Sequence, residues 1–161
     1  MVASIALIAL NACGGDDGGP TGTNGNNNGN GAVTGDGNIT ATINGVAWRS
    51  MKSGDRGSRS GQFYAVVGLN TTYTLTLGIG NLTGPATVSL DLTAGGNGSS
   101  AIVANTAGGW GTAFQGGTGT ITVTSLTANR IVGTFSFDAK PGSGSATGTL
   151  QVRNGKFDVT F

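Results

Sequence analysis

Residues 118–137 read TGTITVTSLTANRIVGTFSF, and this stretch decides the fold. Ile121 and Val123 alternate with Thr120, Thr122 and Thr124. A turn at Ala128-Asn129-Arg130 then leads into Ile131, Gly133, Phe135 and Phe137, spaced two apart. Side chains two apart share one face of a strand, so the stretch predicts two half-buried strands.

The same period extends in both directions. Downstream, Leu150 and Val152 precede a turn expected at Arg153-Asn154-Gly155, and Phe157, Val159 and Phe161 close the chain. Upstream, Ile39, Ala41 and Ile43 alternate with Thr40 and Thr42. Asn44-Gly45 then supplies a type I′ turn before Val46-Ala47-Trp48. Residues 62–69 and 72–79 form a second pair, with Tyr73, Leu75, Leu77 and Ile79 on one face, and Val88, Leu90 and Leu92 alternate with Ser89 and Asp91. No segment carries a helical stripe, and 32 glycines are too many for one. The expected fold is all-β: a single antiparallel β-sandwich or lipocalin/calycin-like barrel of about eight to ten short strands.

Composition narrows the chemistry. The 161 residues include no His and no Glu, and all seven acidic residues are Asp. Ser-His-Asp and Cys-His catalysis and His-ligated metals are therefore excluded. A net charge of +1 argues against a nucleic-acid binder. Within the folded part, Asp91, Asp138 and Asp158 alternate with apolar neighbours and belong on solvated strand faces, a poor supply for acid/base work. No S-x-x-K, phosphate-loop or G-x-G-x-x-G pattern occurs, so no catalytic residue and no cofactor is expected. The four N-x-S/T sequons, at Asn38, Asn70, Asn81 and Asn97, follow from richness in Asn and Thr.

Residues 1–12, MVASIALIALNA, carry no charge and suit the apolar region of a secretory signal, being too short to span a bilayer. The run ends in Leu10-Asn11-Ala12-Cys13, which resembles the bacterial lipobox. The resemblance implies cleavage before Cys13 and lipidation of that residue, with a diacylglycerol thioether and an N-acyl chain such as palmitate. No Lys or Arg precedes the run, so the precursor is expected to begin further upstream. Residues 13–37 then form a Gly/Asn/Asp-rich tether, expected to be disordered because it cannot bury enough surface to offset its ordering entropy. Its reach is about 25–30 Å. Asp16 and Asp17 resemble acidic export signals, against the plainer reading of a polar spacer, and the resemblance implies a bacterial outer-membrane lipoprotein displayed at the cell surface.

The β-domain, residues 38–161, carries a second resemblance. Asn44-Gly45-Val46-Ala47-Trp48 resembles the start of a family of small uncharacterised bacterial lipoproteins with a C-terminal domain of unknown function. Gly119-Thr120-Ile121-Thr122-Val123, Ile131-Val132-Gly133-Thr134-Phe135-Ser136-Phe137 and Asn154-Gly155-Lys156-Phe157-Asp158-Val159 are similar to that domain's C-terminal third. The resemblance implies a lipid-anchored β-domain and nothing catalytic.

Two features are candidates for ligand binding. Residues 49–59, RSMKSGDRGSR, read as a basic loop in which Arg49, Lys52, Arg56 and Arg59 meet only Asp55. Such a loop suits lipid phosphates or acidic glycans, against the plainer reading of a solvated hairpin. Trp110, in Gly108-Gly109-Trp110-Gly111, lacks an apolar flank and suits sugar stacking or ligand closure, against packing over a barrel end. Rows of Thr at 118, 120, 122, 124 and at 72, 74, 76 follow no solenoid period and read as outward strand faces rather than an ice-binding surface. The expected partners are the membrane, through Cys13, and a glycan, small ligand or envelope protein. The alternative is an accessory subunit of a surface assembly joined by a long uncharged sheet edge.

Overall fold

Backbone pairing turns the alternating segments into eleven strands and one 3₁₀ turn in a computed structural model that describes residues 35–91 and 98–161. The expectations for residues 1–34, Cys13 among them, and for Leu92 lie outside the described residues. The strands are β1 (Thr40–Ile43), β2 (Val46–Arg49), β3 (Arg56–Ser60), β4 (Phe63–Leu69), β5 (Thr74–Ile79) and β6 (Ala86–Ser89). They continue with β7 (Ser100–Asn105), β8 (Gly108–Gly111), β9 (Thr118–Leu126), β10 (Arg130–Gly144) and β11 (Leu150–Thr160). The 3₁₀ turn, Lys52–Gly54, lies between β2 and β3.

All pairings are antiparallel, and the sheet curls into a half-barrel in the order β2-β1-β11-β10-β8-β7-β5-β4-β3, with β6-β9 joined to β10. The long strand β10 makes this possible. Its first part, from Ile131 to Asp138, pairs with β9, and its last part, from Lys140 to Gly144, pairs with β8. Strand β11 lies along its other flank. One strand thus serves two sheets, with a register shift between Pro141 and Ser143 just past the change of partner, as in strands that turn the corner of a sandwich.

The core collects inward residues from both sheets: Ile39, Trp48, Val66, Leu75, Leu77, Ile79, Ile121, Phe135, Phe137, Leu150 and Phe157 are all buried. Each large apolar side chain removed from water contributes roughly 1.5–3 kcal/mol. Gly133 pairs with Phe157 and Phe135 pairs with Gly155, so each ring lies over the glycine opposite it. The two rings stack at a centroid distance of 6.2 Å.

The all-β antiparallel fold is as expected, with β3, β7 and β8 added: β3 and β8 lack the apolar alternation that announces a strand, and the Ala101-Ile102-Val103-Ala104 run of β7 is continuous rather than alternating. Two local expectations need correction. Arg153-Asn154-Gly155 is not a turn. It is a bulge inside β11, with Asn154 at φ 54°, where the register shifts against both β10 and β1. Residues 49–59 are not one loop, because Arg49 ends β2, Lys52 starts the 3₁₀ turn, and Arg56 and Arg59 lie on β3. Trp110 sits within a strand, opposite Val103 and Pro141.

Packing begins before the first alternating residue. The Gly37 N–H donates to Ser50 O (2.7 Å), the Asn38 N–H to Asp55 Oδ2 (2.5 Å), and the Lys52 N–H to Asp36 Oδ1 (2.8 Å). The Asn44-Gly45 turn has φ of 48° and 82°, as a type I′ turn requires. The Asn44 side chain also accepts from the Gln151 N–H at 2.8 Å, fixing the hairpin to β11.

Candidate functional site

A hollow borders the β11 bulge. On the outer face of β9, β10 and β11, a groove of about 560 Å³ is lined by Thr120, Thr122, Thr134, Ser136, Arg153, Asn154 and Lys156, with the buried Phe135 and Gly155 also contributing. Outward strand positions supply the hydroxyls, and the extra residue at Asn154 re-aims the chain so that Asn154 and Lys156 both border the groove. Its volume lies within the roughly 300–1,000 Å³ of ligand sites.

Hydrogen bonding divides these groups into committed and free. Thr122 Oγ1 lies 3.0 Å from Thr87 Oγ1, and Ser136 Oγ donates to Val152 O. Arg153 donates from Nη1 to Phe137 O (2.8 Å) and Val152 O (2.9 Å), and from Nη2 to Asp138 Oδ1 (2.6 Å). Thr120, Thr134, Asn154 and Lys156 are exposed, and their side chains make no hydrogen bond among the described residues. With Arg153 neutralised by Asp138, the groove carries the single uncompensated charge of Lys156.

A second hollow of about 340 Å³ lies where the N-terminal segment enters the domain. Asn38, Lys52, Asp55, Arg130, Asp158, Val159 and Thr160 line it. Arg130 grips Asp158 through two donors, at 2.7 Å from Nε and 2.5 Å from Nη2. That hydrogen bonding holds the Asp158 carboxyl below its ordinary value. Asp138 and Asp158, which the alternation places on solvated faces, are thus both held in cross-strand ion pairs. Among the described residues, no three His, Cys, Asp or Glu side chains gather where a metal ion could be held.

The residues singled out in the sequence do not come together. Lys52 reaches the second hollow, and Arg49 ends β2 in solvent. Arg56 and Arg59, three apart on β3, point to opposite faces of that edge strand. Arg59 donates from Nε to Gly61 O and lies 5.5 Å from the Tyr64 ring centroid. Trp110 is separated from β3 by β7, β5 and β4 in the sheet. It is half-buried against the core, and its indole N–H donates to Thr147 O at 3.2 Å. Sequence reasoning missed the groove, although it marked Thr120 and Thr122 as an outward ladder.

Fold and site together define a curled antiparallel β-domain with a hydroxyl-lined groove and tied-up carboxylates. The chain belongs to the family described as Domain of unknown function (DUF6252), whose model matches residues 35–159. That match begins at the first described residue and takes in every described strand but for Thr160, the last residue of β11. No curated protein and no solved structure matches the chain.

Proposed function

We propose that this chain is a lipid-anchored domain of the bacterial cell envelope that binds a glycan or similar polyhydroxylated ligand without chemical transformation. The groove on β9, β10 and β11 carries the reading, since four unengaged polar side chains converge on a volume large enough for a saccharide. The pairing of Asp138 and Asp158 with arginines supports a non-catalytic role, because both carboxylates are occupied. The anchor rests on the lipobox-like Leu10-Asn11-Ala12-Cys13. Among the described residues no helix is long and apolar enough to cross a membrane.

The accessory-subunit reading needs a long uncharged edge. The edge strands β2 and β6 have 4 residues each and β3 has 5, with Arg49 on β2 and two arginines on β3. Short or charged edges resist strand addition, which favours ligand binding.

The test measures binding of the full chain, in detergent, to immobilised envelope saccharides beside a Thr134→Trp variant that fills the groove. Retention by the parent with loss in the variant, at unchanged melting temperature, is the expected result. Equal retention by both proteins refutes the groove as the site.

A further inference from the structure

We infer that the groove is selective for saccharide units bearing one carboxylate, with the Lys156 ammonium receiving the carboxylate. This inference rests on the binding reading of the same groove and adds its ligand chemistry. Charge gives the first reason. Arg153 spends its guanidinium on Asp138 and on two carbonyls, so Lys156 alone has a full charge to offer. One compact ammonium matches one carboxylate, whereas a dianionic phosphate would leave a charge unmatched.

Donor geometry gives the second reason. Lys156 lies opposite Thr134 on β10, and Asn154 stands two residues before it across the bulge. The free groups therefore form an ammonium, a carboxamide and two hydroxyls, from Lys156, Asn154, Thr134 and Thr120. An ammonium offers donors only, while carboxamide and hydroxyls both donate and accept, as vicinal sugar hydroxyls require. The other described cations lie elsewhere. Lys140 donates to Thr149 Oγ1, Arg130 is paired with Asp158, and Arg49, Lys52, Arg56 and Arg59 do not line this groove.

The experiment uses the full chain in detergent with oligomers of galacturonate, glucuronate and mannuronate, each paired with its methyl ester. Esterification removes the charge and keeps the ring hydroxyls, so the pair isolates the carboxylate. The expected result is that at least one acid binds about tenfold more tightly than its ester, as for one charge-assisted hydrogen bond. Lys156→Gln should abolish that preference, Lys156→Arg should retain most of it, and Lys52→Gln should leave it unchanged. Asn154→Gly, which keeps the left-handed backbone, should weaken acid and ester alike. If acids and esters bind equally and Thr134→Trp removes both, the carboxylate inference is wrong and the groove remains the site. If Lys52→Gln weakens binding as much as Lys156→Gln, attraction is diffuse and the inference is likewise overturned. If no oligomer binds, both the inference and the saccharide reading fall.

Discussion

Replacing Gly133 or Gly155 by Ala sets two effects of opposite sign against each other. Glycine weakens a strand by about 0.5–1 kcal/mol relative to Ala, so propensity alone predicts that both changes stabilise the domain. The structure predicts the reverse. A Cβ at Gly133 would stand 2.6 Å from Phe157 Cζ and collide with the Thr122 carbonyl oxygen, while one at Gly155 would stand 2.6 Å from Phe135 Cγ. Overpacking of this kind costs about 1–3 kcal/mol, and both rings are buried and stacked on each other, so moving either one disturbs the other. Packing wins, and each variant should lose about 1–2 kcal/mol, or about 4–8 °C in Tm for a domain of this size. Thermal and urea unfolding followed by circular dichroism would measure the loss. Pairing Gly155→Ala with Phe135→Leu should recover about 1 kcal/mol relative to the sum of the single changes. Additive effects, or an Ala variant more stable than the parent, would refute the ring-over-glycine account.

Chains starting at residue 39 should be less stable than chains starting at residue 35 by about 1–3 kcal/mol, since three hydrogen bonds from the Asp36-Gly37-Asn38 segment are lost; urea midpoints compare the two. Asn44→Ala should cost about 1–3 kcal/mol by forcing Ala into a left-handed turn and freeing the Gln151 N–H, whereas Asn44→Gly should lose only the second part. Asp158 has a folded pKa below its unfolded one, so its contribution is present above the ordinary carboxylate range and disappears as pH falls through the depressed value. Asp158→Asn should therefore lower stability at neutral pH and flatten the acid limb of a stability-pH curve, the difference from the parent vanishing only below the depressed value. Cys13→Ser should move the expressed protein out of the detergent phase, with loss of the acyl mass by mass spectrometry.

Most strands that bury apolar side chains were legible because burial imposes period two on the residues themselves; β7, with its continuous Ala101-Ile102-Val103-Ala104 run, was not. Ile121, Val123, Phe135 and Phe137 announce their face without knowledge of their neighbours. The segment RGSRS of β3 has no such signature, since β4 recruits it through backbone pairing. Asn154-Gly155 shows a different ambiguity. A left-handed Asn followed by Gly serves a hairpin turn and a bulge equally well, and only unbroken pairing on both sides of β11 distinguishes them. The groove was hidden for the same reason. Its outward Thr and Ser residues look like ordinary strand surface, and their convergence with Lys156 depends on register among three strands and on one inserted residue.

The neighbourhood of β1 and β11 also governs when the domain can form. Asn44 bonds to a residue 107 positions later, and the whole β1–β2 hairpin rests on β11. Bonds from Met51 N–H to Leu69 O and from Asn70 Nδ2 to Arg49 O tie the hairpin's far end to β4, but its only strand partner outside the hairpin among the described residues is β11, which is made last of the described strands. A chain halted before Leu150 would leave β1 without its β11 partner and Ala41 and Ile43 without the β11 side of their cover, presenting an open strand edge to any folding catalyst or protease nearby. Of the described strands this hairpin is made first, but its pairing with β11 should come last.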